Sequence, residues 1–497
     1  MWRHLAIFIL LPLLAVPPAF AQGGRFALPD LGSGGISIIA GTREEAIGRS
    51  IVNELRRADL ILDDPEITEY IQNVGSRLVA GADNGKTDFS FFVIKDDSIN
   101  AFALPGGYIG VHSGLILRTN SESELASVLA HEVAHVTQRH IARRFDASSS
   151  MGLKSLAILL GAIALAASGA DGDDVSGAMM LGQGLAIQEQ INFTRTQEYE
   201  ADHVGMSILA RSGFDPEGMV NFFETMQRMQ RIRNSRMPEF LSTHPLSVSR
   251  VTDAAQRIQA MDNIGTVRES RAYPLMKARL AVLSGDAPLL SAGAGDAPRA
   301  KTAPARYARA LALLEDGEAE TAAAILRELR GEDDSITHYH IGLGRALMAA
   351  GRIDGAIKVM EHAGQLFPVN VPVGLAHAEA LRRAGRAEDA LNLLRDLFNR
   401  RAPEPENIRV MAQTAADAGA MAESHYYMGE YYLRLGDLHS GRIQLQLAVD
   451  NADPASNDYL QYNARLQEVS DILLEQRSEG RGPTEARSSW QSVNPAS

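Results

Sequence analysis

Apolar positions recur at helical spacing along most of the chain. Ile47, Ile51 and Leu55 step down one face, and Thr42 and Glu45 ahead of them form a capping box. A helix is therefore expected to open at Thr42, after a glycine-rich leader over residues 32–41. Asp64-Pro65 predicts a second start, with proline in the first turn of a helix carrying Ile67, Tyr70, Ile71, Val74 and Leu78. The pattern then turns β-like over residues 89–94 and 101–111, the latter broken at Pro105-Gly106-Gly107. Ser121 and Glu124 make a further capping box. It opens a helix whose Leu125, Val128, Leu129, Val136 and Ile141 define a buried face. Residues 188–211 read as another long helix ended by Gly213, and residues 219–232 as one more.

Residues 283–304 are rich in Ala, Gly, Pro and Asp and read as a linker. Beyond them Gly317, Gly351, Gly385 and Gly419 fall 34 residues apart, and Ala322, Ala356 and Ala390 keep one offset behind them. That period, with glycine at a turn and small residues where two helices touch, predicts tetratricopeptide-type helical hairpins. The fullest copy has Gly344, Leu347, Gly351, Ala356, Met360, Ala363 and Pro368. After Gly419 the phase slips by half a repeat, with Gly429, Tyr432, Gly436 and Ala448 fitting again. The expected fold is mostly α: an α+β domain with a small sheet over residues 42–282, then a helical-repeat solenoid over 305–476. Residues 477–497 are expected to be disordered. Stacked hairpins give a concave, peptide-binding surface. Tyr426, Tyr427, Tyr431 and Tyr432 would lie in its aromatic groove or in the repeat core.

Composition narrows the classes. The 497 residues are 45% hydrophobic and 22% charged, enough to bury real cores, and a formal net charge of −13 argues against a nucleic-acid-binding surface. Arg3 and His4 precede an apolar stretch over residues 5–16 and an Ala19-Phe20-Ala21 cleavage site. Residues 1–21 thus read as an export signal, with the mature chain starting near Gln22. The chain has no cysteine, so a metal site must be built from His and carboxylates. Residues 155–170 carry no charge but fall short of the roughly 20 residues a membrane span requires. They are expected to form a lid over a cleft, an interfacial helix or buried core.

The candidate chemistry lies in His131-Glu132-Val133-Ala134-His135. Two histidines one helical turn apart project from the same face and can share one Zn²⁺ per chain. Glu132, rotated just off that pair, can act as general base toward a water at the ion and return the proton to the leaving amine. A third ligand is needed, and Glu198 and Asp202 share a helical face at i and i+4. Glu198 is taken as that ligand and Asp202 as the acceptor behind a ligand histidine, although surface helices carry many such pairs. Glu200 points elsewhere, and His112 and His140 read as structural or solvated histidines.

These motifs resemble the gluzincin zinc metallopeptidases. The export signal and repeat tail are similar to the family of periplasmic β-barrel assembly-enhancing proteases. The resemblance spans residues 42–475 and includes Asn100-Ala101-Phe102-Ala103, Pro105-Gly106-Gly107, Thr243-His244-Pro245-Leu246 and Arg250. It implies Glu198 as the third ligand and an edge strand near residues 100–111 to which an extended substrate could add. His244 would either stabilise the oxyanion or fold back onto the open metal position, and Arg250 would pair with substrate or with Asp202. The implied function is a periplasmic endopeptidase, with a chaperone-like role, acting on misfolded or stalled outer-membrane proteins. Its implied partners are those clients and the β-barrel assembly machinery, with peripheral membrane association allowed. Two other readings stand beside it: a chaperone or adaptor with a latent metal site, and a protease anchored through residues 155–170.

Overall fold

The computed structural model describes residues 34–82, 87–140, 195–231, 238–261, 267, 270–285 and 302–478. The expected export signal, the 155–170 segment, most of the expected linker and the expected disordered tail beyond 478 lie outside the described residues. Helix α1 (Gly34–Arg57) starts eight residues before Thr42 and runs through the glycine-rich leader, so the expected start at Thr42 lies inside it. Ile36, Ile38 and Ile39 make that leader less of a helix breaker than its glycines suggested, since each glycine costs only about 1 kcal/mol.

Helix α2 (Pro65–Ala80) begins as its sequence predicts, with the Asp64 carboxylate accepting from the Ile67 N–H at 3.1 Å. Its apolar stripe of Ile67, Ile71, Val74 and Leu78 is buried. The sheet holds β1 (Ser90–Ile94), β2 (Ala101–Leu104) and β3 (Tyr108–His112) in the order β1-β3-β2. β2 and β3 form an antiparallel hairpin, and β1 runs parallel to β3. The hairpin turn contains Gly106 and Gly107 at φ 80° and 85°, a region open to glycine. β2 is thus an edge strand.

After the short α3 (Ser113–Arg118), helix α4 (Glu122–Thr137) is capped by Ser121, whose hydroxyl accepts from the Glu124 N–H at 3.1 Å. The Glu124 carboxylate reaches back one residue further than a capping box requires, accepting from the Asn120 N–H at 2.8 Å. Helices α5 (Arg195–Arg211), α6 (Glu217–Arg231), α7 (Glu239–Thr243) and α8 (Val248–Gln259) complete the first core with the sheet and α2. Helix α9 (Ala272–Leu283) faces two cores: Tyr273, Met276 and Leu280 join the first, while Leu275 joins that of the repeats.

The repeat region comprises α10 (Ala303–Glu315), α11 (Ala319–Glu332), α12 (Thr337–Ala349), α13 (Ile353–Leu366), α14 (Val371–Arg383), α15 (Ala387–Arg400), α16 (Pro405–Asp417), α17 (Met421–Arg434), α18 (Leu438–Asn451) and α19 (Asn457–Ser478). Gly317, Gly351, Gly385 and Gly419 turn successive pairs at φ 74–82°. Ala322, Ala356 and Ala390 are fully buried where the helices touch. The half-repeat slip has a structural form: Gly436, at φ 76°, turns α17 into α18, so α17 closes one hairpin and opens the next. Ser424 and Gly441 then take the small-residue position, five residues after their turn glycines. Tyr426 stacks on Tyr462 at 4.6 Å and Tyr427 packs on the repeat core, so at least these two ring positions are largely internal. Among the described residues no helix is long and apolar enough to cross a membrane.

Candidate metal centre

Helices α4 and α5 cross through small residues. Ala130, Ala134 and Ala201 are fully buried, and a Cβ on Gly205 would sit 3.1 Å from the His131 backbone nitrogen. That approach carries the α5 carboxylates to the α4 histidines. Thr243-His244-Pro245, at the end of α7, then brings the His244 ring in from a third direction, stacked on Phe240 at 4.9 Å.

Four donor groups converge: His131, His135, Glu198 and His244, each at most 2% exposed. His131 Nε2 lies 3.0 Å from His135 Nε2 and 3.2 Å from His244 Nδ1. Glu198 oxygens lie 3.1 Å from His244 Nδ1 and 3.5 Å from each of the other two ring nitrogens. A tetrahedral ion with donors about 2.0–2.1 Å away separates them by about 3.3 Å. The donor set therefore fits a small divalent ion, the softer thiolates being absent from the sequence.

Glu132 is fully buried beside this cluster. Its carboxylate faces the Ala103 backbone and His244, whose Nε2 stands 3.4 Å from one oxygen. Burial pushes its carboxyl up, which raises its affinity for a proton. Asp202 stands 3.0 Å behind His131, at Nδ1. Burial opposes protonation of His131, but Asp202 and Glu198 outweigh it and push the pKa up to about 10. Glu198 is held well below the usual carboxylate range: burial works against ionisation, and His244, His131 and His135 overcome it. Arg250 grips Asp202 through two 2.7 Å hydrogen bonds, and its Nη1 reaches Glu198 at 2.9 Å. The expected pairing of Arg250 with Asp202 is therefore present.

Comparison with known proteins agrees with this geometry. The model of Peptidase family M48 matches residues 65–258, and a tetratricopeptide-repeat model matches 347–414. The beta-barrel assembly-enhancing protease of Escherichia coli K12 is 33% identical over 473 residues, covering 92% of this chain and 94% of that protein. This chain belongs to the beta-barrel assembly-enhancing protease family. The Yersinia pestis member is 32% identical over 464 residues, covering 89% of this chain and 91% of its own length. A Vibrio cholerae relative is 44% identical over 241 residues, so the match spans about half, 49%, of that protein. As a member of this family the chain is a metallopeptidase, and its His/Glu cluster suits a metal ion.

Two residues stand closer to the cluster than the sequence alone indicated. His140, expected to be structural or solvated, is fully buried with Nδ1 2.8 Å from His135 Nδ1. Glu200, expected to point elsewhere, meets His140 Nε2 at 3.0 Å. The only sequence signal was proximity to the motif. By contrast His112 is buried in a structural role, its Nδ1 2.7 Å from the Ser98 hydroxyl.

Proposed function

We propose that the chain is a periplasmic zinc endopeptidase acting on misfolded or stalled outer-membrane β-barrel proteins, with His131, His135 and Glu198 as ligands. The observation that carries this reading is the tetrahedral spacing of buried donor atoms with Glu132 beside them. When bound, zinc lowers the pKa of a coordinated water and polarises the scissile carbonyl. Glu132 takes the proton of the attacking water and delivers it to the departing amine, its buried position raising its proton affinity. Asp202 holds the His131 ring from behind, and Arg250 steadies both carboxylates. An extended client would add along the β2 edge of the sheet, the backbone supplying sequence-tolerant affinity. The repeat solenoid would dock clients or the β-barrel assembly machinery, consistent with the name of the Escherichia coli relative.

The resting site is latched. His244 offers Nδ1 as a fourth donor and turns Nε2 toward Glu132, which supports the reading in which its loop folds onto the open position. The chain carrying it is tied to the edge-strand end, where the Phe240 N–H donates to the Ile99 carbonyl at 3.0 Å. A latched site also gives substance to the second reading, a chaperone or adaptor that rarely cuts.

Two variants separate these readings. Glu132→Gln should cut client cleavage by about 10²–10⁴-fold while zinc content and client binding persist. Clearance of clients at the parental rate by this variant removes the peptidase claim. His244→Ala should raise cleavage if the ring is a latch, and lower it by about 10²–10³-fold if it is an oxyanion donor.

A further inference from the structure

A polar group stands behind the second ring nitrogen of each ligand histidine, but the groups differ. His131 meets the carboxylate of Asp202 directly. His135 meets His140, and His140 meets Glu200, at 2.8 and 3.0 Å in series. The contact depends on an unusual backbone. Helix α4 stops at Thr137, Arg139 adopts φ 53°, and the chain folds back so that His140 lies beneath His135. A left-handed conformation at a non-glycine residue costs on the order of 1 kcal/mol and persists only where the surroundings impose it. On a continued helix, five residues ahead, His140 would be rotated well off the His135 face.

We propose that His140, backed by Glu200, is a positioning residue for the metal, fixing the tautomer and ring plane of His135. The inference rests on His135 being a ligand. A metal at His135 Nε2 requires that nitrogen to be bare, so its proton must sit on Nδ1. His140 Nδ1 then accepts that proton in a hydrogen bond, and its own proton sits on Nε2. That N–H donates to the Glu200 carboxylate. Only one proton arrangement satisfies the metal and both contacts, and Glu200 selects it from two links away. Helix α5 thus reaches the metal twice, through Glu198 directly and through Glu200 by way of His140.

The test is a zinc titration of metal-stripped full-length protein against a chromophoric chelator. His135→Ala should abolish tight binding, and if it binds zinc like the parent the ligand assignment itself falls. His140→Ala should weaken zinc affinity by about 10–100-fold. Glu200→Ala should move it in the same direction by less, and its side chain is 41% exposed, so the fold tolerates the change. His140→Asn places an amide oxygen near the lost Nδ1 and should recover most of the affinity, which a merely space-filling role would not predict. Parental zinc affinity in both His140→Ala and Glu200→Ala, alongside its loss in His135→Ala, overturns the relay and leaves the metal site standing. An Asn variant as weak as Ala likewise overturns it.

Discussion

Arg250 shows how one side chain can hold a buried anionic site together before any metal arrives. Its planar fork takes both Asp202 oxygens and its remaining nitrogen reaches Glu198, with all three residues at most 3% exposed. Removing one partner of a buried charge cluster costs about 3–5 kcal/mol, because the other charges are left uncompensated. Arg250→Ala is therefore expected to lower the stability of metal-stripped protein by that amount, read from urea unfolding. Arg250→Lys should recover less than half, since an ammonium cannot make the paired bonds to Asp202. A Lys variant as stable as the parent would mean that a charge alone, without the paired bonds to Asp202, holds the site together. At this scale the site was partly legible. His131, Glu132 and His135 announce themselves through helical spacing, whereas the i,i+4 pair Glu198 and Asp202 looks like many on surface helices, and Glu198 is singled out by the family resemblance. His140 does not, because its place depends on a left-handed turn at Arg139 that no periodicity encodes.

Between elements, the distance from α4 to α5 sets how close Glu198 stands to the histidines. A Cβ on Gly205 would meet the His131 and Ala130 backbone at 3.1–3.2 Å, and backbone atoms cannot swing aside as a side chain would. Gly205→Ala should gain about 1 kcal/mol of helix propensity and lose a similar amount to overpacking, so thermal stability changes little. Separation of the helices by a few tenths of an ångström is what remains, and zinc affinity should fall on the order of tenfold. Titration of the metal-stripped variant checks this, and unchanged affinity would show that the two helices have slack. Element boundaries divide along the same physical line. Starts fixed by a side-chain cap, at Asp64 and Ser121, were readable because the cap is local. The start of α1 was not, since the glycines of its leader signal a break that the structure does not make. The turn glycines of the repeats were readable because positive φ leaves few alternatives, and Gly436 marks the half-repeat slip for the same reason.

Across the whole molecule, the peptidase fold and the repeats meet through a buried charge cluster whose members lie hundreds of positions apart, beyond the reach of sequence pattern. Glu66, at the start of α2, is 1% exposed. It meets Arg345 at 2.7 Å, His338 at 2.9 Å and Arg279 at 3.2 Å, while Arg279 also donates to Asp64 at 2.9 Å. Nearby, Asn53 donates to the Arg434 carbonyl at 3.2 Å, and Arg401 pairs with Glu69 at 2.8 Å. Burial by itself would raise the Glu66 carboxyl, but Arg279, Arg345 and His338 outweigh it and hold it well below the usual carboxylate range. In the unfolded chain this carboxyl titrates near its ordinary value of about 4.3. Below that value the unfolded state binds a proton that the folded state resists, so acid favours unfolding. The contribution of Glu66 is thus present in full above about pH 5 and is lost as pH falls through the unfolded value toward the depressed folded one. Glu66→Gln should lower the thermal midpoint at neutral pH, by the equivalent of about 3 kcal/mol, and flatten its decline on acidification. Midpoints of both proteins measured at neutral pH and near pH 4 give the comparison, in which carboxylates common to the two cancel. Parallel curves would mean that Glu66 is no better ionised in the folded protein than in the unfolded one, and that the repeats are held to the peptidase fold by apolar contact instead.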